Sequence, residues 1–215
     1  MGGDFDGQGI SFGVCQWNFG QDSLQPLLKE MIRRHSGIVQ AIFHERRGEL
    51  VAALAGDKRE LMKFAAGIQH PVHHSVFEPW RGMFRSLGRS DEFQAIERKH
   101  ARTMYRAALK LCAGFGLWSQ RAKALMFDIK VQNGGIDGRV QAQILADFSR
   151  LAAGLPRRES ELEKLRIVAN RRAEAARPHW IEDVRARKLC IANGAGVVHG
   201  IAYDLEQQFG IALRR

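Results

Sequence analysis

DFDGQGISFGVCQWNFG, residues 4–20, departs from the helical pattern that governs most of the remaining chain. It does so almost at the first residue, where a chain normally frays. Glycines at 7, 9 and 13 allow sharp turns and a close approach of backbone to a ligand. Asp6 stands at the entry to this turn and Ser11 lies five residues on. The spacing leaves two readings open: a ligand-approaching loop that carries a carboxylate and a hydroxyl, or a common Asp-Gly hairpin in which Asp6 hydrogen-bonds its own turn.

Outward from this segment the pattern is helical. Ser23 is placed to cap a helix in which Leu24, Leu27, Leu28, Met31 and Ile32 share a face, with Pro26 tolerated in the first turn. Ser36 starts a short buried helix through GIVQAIF, and GELVAALAG reads as another. Asp57 with Glu60 forms a capping-box pattern ahead of Leu61, Phe64, Ala65 and Ile68. Residues 70–89 are irregular and read as a hinge between two lobes, near 70–90, before Ser90 opens a longer helix to about Cys112. Ser119 caps QRAKALMFDIKVQN, whose Ala122, Leu125, Met126 and Ile129 form an apolar stripe ended by Gly134 and Gly135. Further helices are predicted at about 138–153, 159–176, 180–190 and 202–209. Only residues 8–20 look partly extended, so the fold class is mainly α with a small β-hairpin. The run RRESELEKLRIVANRRAEAARP alternates charge at helical spacing and reads as a solvated helix face.

The 215 residues, 45% of them hydrophobic, can fill one core, and the predicted organisation is a single domain over 1–215. Lys and Arg outnumber Asp and Glu by 33 to 23, a net charge of +10, which attracts polyanions such as nucleic acid, acidic membranes or anionic cell-wall polymers. Cys15, Cys112 and Cys190 show neither disulfide-framework nor zinc spacing. His70, His73 and His74 lack a carboxylate partner, so no metal and no cofactor is expected. No apolar run is long enough to span a membrane, and MGGDFDGQG is not a signal peptide. The chain is expected to be soluble, and any export would need another route.

FDGQGISFGVCQWNFGQDSLQPLL resembles the segment of lysozyme-superfamily glycoside hydrolases, nearest the chitosanase family, in which a Gly-Asp-Gly-x-Gly-x-Thr-x-Gly stretch carries the catalytic carboxylate. It is also similar to bacterial and phage proteins described as peptidoglycan-binding or lysozyme-like. ALMFDIKVQNGGI and RKLCIANGAGVVHG resemble later segments of the same group. The resemblance implies a lysozyme-like α+β fold, two helical lobes with a small hairpin at the cleft, and an inverting hydrolase. Asp6 matches the family's general base, and Ser11 stands where a Thr helps to hold the attacking water. An inverting glycosidase activates water on one face of the sugar while a second carboxyl, ~6.5–9.5 Å away, protonates the leaving group.

In the family that acid is a Glu on a helix preceding the loop, and only five residues precede Asp6 here. The chain is therefore expected to be a version shortened at its amino end and lacking that helix, unless Asp4 or a distant Glu substitutes. Gln16 and Asn18 are candidate sugar contacts, because amides pair with hydroxyls and N-acetyl groups; Trp17 is equally a stacking platform or core. The resemblance places Gln132 and Asn133 near the cleft, with Asp128 expected to anchor an Arg or a cap, and His199 either borders the cleft or pins its loop. Chitosan is a polycation and a chain of +10 would be repelled by it, so peptidoglycan is preferred over chitosan as the amino-sugar polymer. The alternatives are a non-catalytic glycan-binding protein or a chitosanase. Nucleic acid is disfavoured, since charge alone supports it and no recognition motif accompanies the charge.

Overall fold

Local capping chemistry sets some of the helix starts and leaves others without a side-chain cap. A computed structural model describes residues 1–4 and 7–215 and is mainly helical with two small two-stranded hairpins. Clustering of neighbouring residues divides the chain into two units, Met1–Arg102 and Thr103–Arg215. Residues 70–89 lie inside the first unit, and the division falls within a helix.

The first unit opens with strands β1 (Ser11–Phe12) and β2 (Trp17–Asn18), paired antiparallel with Ser11 opposite Asn18 and Phe12 opposite Trp17. Helices α1 (Gln25–Arg34), α2 (Ser36–Phe43), α3 (Arg47–Ala55), α4 (Lys58–Gly67) and α5 (Trp80–Arg89) follow, and α6 (Asp91–Gly114) carries the chain into the second unit. At α4 the capping box forms as the spacing predicts: Asp57 Oδ1 accepts from Glu60 N–H at 2.8 Å and Glu60 Oε2 from Asp57 N–H at 3.0 Å. Ser23 does not cap α1. Its hydroxyl accepts from Asn18 N–H at 2.8 Å, and the N-cap position falls to Leu24 without a side-chain bond. The core is aromatic: Phe12 packs edge-on against Phe84 (5.3 Å between centroids) and tilted against Phe93 (5.2 Å), and Phe84 continues to Phe43. Phe12 thus holds β1 down on α5 and α6.

In the second unit, α7 (Gln120–Asn133), α8 (Gly138–Phe148), α9 (Arg157–Glu174) and α10 (Ile181–Asn193) are followed by strands β3 (Ala195–Val198) and β4 (Ile201–Asp204) and by the short α11 (Leu205–Phe209). Ser119 Oγ accepts from Ala122 N–H at 3.0 Å to open α7, and Gly134, at φ +74°, closes it. The α10 helix packs on α9, α7 and β3, and α8 packs on α9. Leu125, Met126, Ile129, Val140, Ile144 and Leu165 form the centre of the core, each almost wholly buried. The predicted helix at 202–209 is half strand, because β3 and β4 make a second hairpin. Its two-residue turn, His199-Gly200, has positive φ at both positions (+51° and +77°), the geometry that matches strand twist.

Among the described residues four helices bury a charged side chain on their packed face: Glu97 on α6, Asp128 on α7, Glu161 on α9 and Lys188 on α10. Lys188 is fully buried and donates to Asp128 Oδ2 and to Gln132 Oε1, each at 2.8 Å. Arg187 Nε donates to the other oxygen of Asp128 at 2.7 Å. Removing one partner of a buried pair strands the other charge, which costs about 3–5 kcal/mol. Asp128→Asn leaves Lys188 without its carboxylate, whereas Lys188→Met leaves Asp128 with Arg187. Urea unfolding should therefore show the larger loss, about 3 kcal/mol or more, for Asp128→Asn; equal losses would contradict this ordering.

Candidate functional site

The amino-terminal segment is fastened at three places. Gly2 and Ser11 exchange backbone hydrogen bonds of 2.8 and 2.9 Å, which puts the first residues alongside β1. Asp4 Oδ1 accepts from Gly9 N–H at 2.7 Å, and Asp4 N–H donates to Gln69 Oε1 at 2.8 Å. A Cβ on Gly3 would lie 1.8 Å from the His74 carbonyl oxygen, so only glycine permits that approach. The third fastening is the Glu97 carboxyl. Its Oε1 accepts from Val14 N–H at 3.0 Å and from the Trp17 indole N–H at 3.2 Å. Glycine is required at position 13 as well, both by its φ of +81° and because a Cβ would fall 1.9 Å from Glu97 Oε1.

Asp6, assigned as general base by resemblance, lies with Phe5 outside the described residues. Ser11 is half-buried on β1, and its hydroxyl makes no hydrogen bond among the described residues. Gln16 is exposed at the corner between the strands, at φ +53°, and both its N–H and its side-chain amide donate to the Gly13 carbonyl. Asn18, opposite Ser11, is buried, its Oδ1 accepting from Gln21 N–H at 2.8 Å and its Nδ2 donating to the Gln16 carbonyl at 3.4 Å. The structure therefore brings Ser11, Gln16 and Asn18 together, with Asn18 spent on bracing the turn. Trp17 is core, 5% exposed.

Glu97 escaped the sequence reading. The signal was there: Phe93, Ile96 and Glu97 recur at helical spacing and are all buried, so the carboxyl occupies a stripe position. Burial pushes the Glu97 carboxyl above the usual range, against the pull of its two hydrogen bonds. Glu30, on α1, is its opposite. Lys99, His100 and Arg34 all donate to its carboxylate at 2.8–3.1 Å, and the Lys99 bond foremost, with His100 next, holds it down to about 2. The His100 ring in turn meets the edge of Trp17 at 6.2 Å, so α1, α6 and the hairpin share one polar seam. A groove of about 480 Å³ on this unit passes Glu30, Arg34, His35, Asp91, Glu92 and Lys99.

The other candidates belong to the second unit. Gln132 accepts from Lys188, and Asn133 Oδ1 is buried without a partner among the described residues. Asp128 does anchor an arginine, Arg187, together with Lys188. His199 is exposed at the tip of the second hairpin and pairs with Asp183 on α10, pinning the tip to that helix. No group of three metal-ligating side chains occurs among the described residues; His70 Nδ1 accepts from the N–H groups of Val72 and His73 and braces its own turn. All three cysteines are free, and among the described residues no helix is long and apolar enough to cross a membrane. Residues 103–215 hold 19 basic and 11 acidic side chains, and residues 1–102 hold 14 and 12, so the positive charge is concentrated in the second unit.

No known family, curated protein or solved structure matches this chain. Function has to be argued from the residues themselves, and the carboxyls of the first unit are the most informative. Glu30 is ionised down to strongly acidic pH and serves as a tie between α1 and α6. Because its folded pKa lies below its unfolded value, its contribution to stability is present above about pH 4.5 and disappears as pH falls toward 2. Glu30→Gln should flatten the acid limb: the drop in urea midpoint between pH 5 and pH 2 becomes smaller than in the parent chain. An unchanged drop would remove Glu30 from the acid-labile set.

Proposed function

We propose that the chain is a glycoside hydrolase of lysozyme-like fold acting on an amino-sugar polymer, the glycan of peptidoglycan before chitosan. Asp6 is the general base, and the Ser11 hydroxyl orients the water that attacks the anomeric carbon. The departing oxygen takes its proton from solvent, at the ~10²–10⁴-fold lower rate that goes with having no positioned acid. The observation that carries this reading is the way the amino-terminal segment is held. Among the described residues on either side of Asp6, Gly2 pairs with Ser11 and Asp4 ties across to Gly9, while Glu97 of α6 grips Val14 and Trp17 of the following hairpin. Catalysis by positioned groups needs such rigidity, since misplacement of a reacting group by about 1 Å can cost ~10²-fold. A hydroxyl with no protein partner among the described residues, on the strand that follows the loop, is suited to hold a water. The net charge of +10 favours a wall bearing peptide carboxylates and anionic polymers.

A second reading, glycan binding without hydrolysis, draws on the state of the first unit's carboxyls. Leaving-group protonation needs a carboxyl that keeps its proton near neutral pH and can reach substrate. Glu30 is held ionised, Asp4 is committed to Gly9, and Glu97, though raised by burial, is only 4% exposed.

Purified sacculi separate the two. The parent chain should release reducing ends, Asp6→Asn should lose about 10²-fold or more of that activity, and Ser11→Ala should lose less, while both variants still sediment with sacculi. Sedimentation without release by the parent chain selects the binding reading. Equal release by the parent chain and Asp6→Asn rejects Asp6 as the base. Raising salt should weaken sedimentation if charge drives it.

A further inference from the structure

The second unit holds a cavity of about 230 Å³ that none of the candidate chemistry above uses. Its walls are Ile191 of α10, Val198 and Tyr203 of the hairpin, and Leu205 and Phe209 of α11; Asp128 and Arg187 form its polar end. The hairpin can close over α10 because position 196 is glycine: a Cβ there would meet Cys190 at 3.1 Å. The tip is pinned by His199 to Asp183. A dry apolar cavity of about 150 Å³ suffices for benzene, so this one admits a ring together with a polar head.

The charges at the polar end do not cancel. Arg187 and Lys188 share the single carboxylate of Asp128. Arg172 also acts on Lys188, and the Asp137 carboxylate it feels is shared with Arg139. Two basic side chains thus depend on one carboxylate at this end. Burial keeps the Cys190 thiol, which also lines the cavity, in its neutral form. Arg187 spends Nε and Nη2 on Asp128, and its Nη1 has no acceptor among the described residues. A guanidinium with spare donors at the end of an apolar cavity suits a planar carboxylate, which it engages through charge-assisted hydrogen bonds.

We propose that this cavity binds a small organic carboxylate with an apolar or aromatic body, the ring or chain lying among Ile191, Val198, Leu205 and Phe209 and the carboxylate on Arg187. The site is independent of the hydrolase reading, since it uses none of the residues of the amino-terminal segment.

Sodium benzoate serves as the probe in an NMR titration of the full chain, with benzyl alcohol as the uncharged counterpart and sodium acetate as charge without an apolar body. Benzoate should shift the resonances of Val198, Tyr203 and Phe209 and saturate. Benzyl alcohol should bind about tenfold more weakly or worse, since a hydrogen bond to a charged group is worth about 1.5–3 kcal/mol, and acetate should do so because it has no ring to bury. Arg187→Gln leaves Asp128 with Lys188 and should weaken benzoate by a similar factor. Val198→Trp, which fills the cavity from the hairpin side, should abolish the shifts and covers the case in which Arg187→Gln does not fold. Equal binding of benzoate and benzyl alcohol, undiminished binding by either variant, or no shift by benzoate at about 50 mM, well past the millimolar range of weak sites, would overturn the proposal.

Discussion

A charge set into the packed face of a helix has to collect partners or it costs several kcal/mol, and among the described residues this chain builds three such assemblies. Glu97 collects the Val14 N–H and the Trp17 indole; Glu161 collects the N–H groups of Trp118 and Ser119 at 3.0 and 2.9 Å; Lys188 collects Asp128 and Gln132. Each assembly joins residues more than forty positions apart, and each fixes something local. Glu97 fixes the turn between β1 and β2, Glu161 the start of α7, and Lys188 the carboxyl end of α7 against α10. Hydrophobic burial is non-directional and would tolerate small slips of these elements. Hydrogen bonds to buried charges do not, because a slipped partner leaves the charge bare. The placement of the candidate loop thus rests on Glu97 more than on the apolar contacts around it.

What could be read in advance follows from the range over which each interaction acts. The Asp57–Glu60 box and the Ser119 to Gly134 span were legible because cap and helix lie within a few residues of each other. The second hairpin was not: GVVHGIAY has too short an alternation to tell from a helix end, and its turn depends on positive φ at His199 as well as Gly200. Ser23 shows a different failure. It has the chemistry of a cap, but its hydroxyl serves Asn18 five residues back, in competition with the helix it precedes. In the candidate site, the pairing of Ser11 with Asn18 follows from a hairpin over 8–20. The engagement of Gln132 does not, because its partner Lys188 lies 56 residues on.

The two perturbed carboxyls of the first unit pull stability in opposite directions with pH. Glu30, depressed by its cations, stabilises the fold above its unfolded value; Glu97, raised by burial, favours the fold most where it is protonated and gives that up as pH rises past its unfolded value. Both sit on the same seam, through His100 and Trp17. The opposite directions follow from the environments: Glu30 faces Lys99, Arg34 and the His100 ring, while Glu97 faces an indole and a single backbone N–H in the core. Paired carboxyls with pKa values driven apart are the usual raw material of acid–base sites. Here the raised member is walled off by the hairpin it supports, so its effect on any chemistry runs through the position of the loop.

The distribution of charge bears on what the chain meets first. Much of the basic character of α9 and α10 is locally neutralised, by Glu163 for Arg166, Glu174 and Asp147 for Arg171 and Glu182 for Arg185. Such exposed pairs contribute little to stability, but they remove free cations from the helix faces. Arg157 and Lys164 are turned instead to the Trp118 and Phe148 rings. Exposed cations remain on α6, where Arg102, Arg106 and Lys110 recur at helical spacing. A surplus of exposed cations raises the encounter rate with any polyanion and selects poorly among them. Selection has to come from shaped sites, of which the cavity beside Arg187 is one.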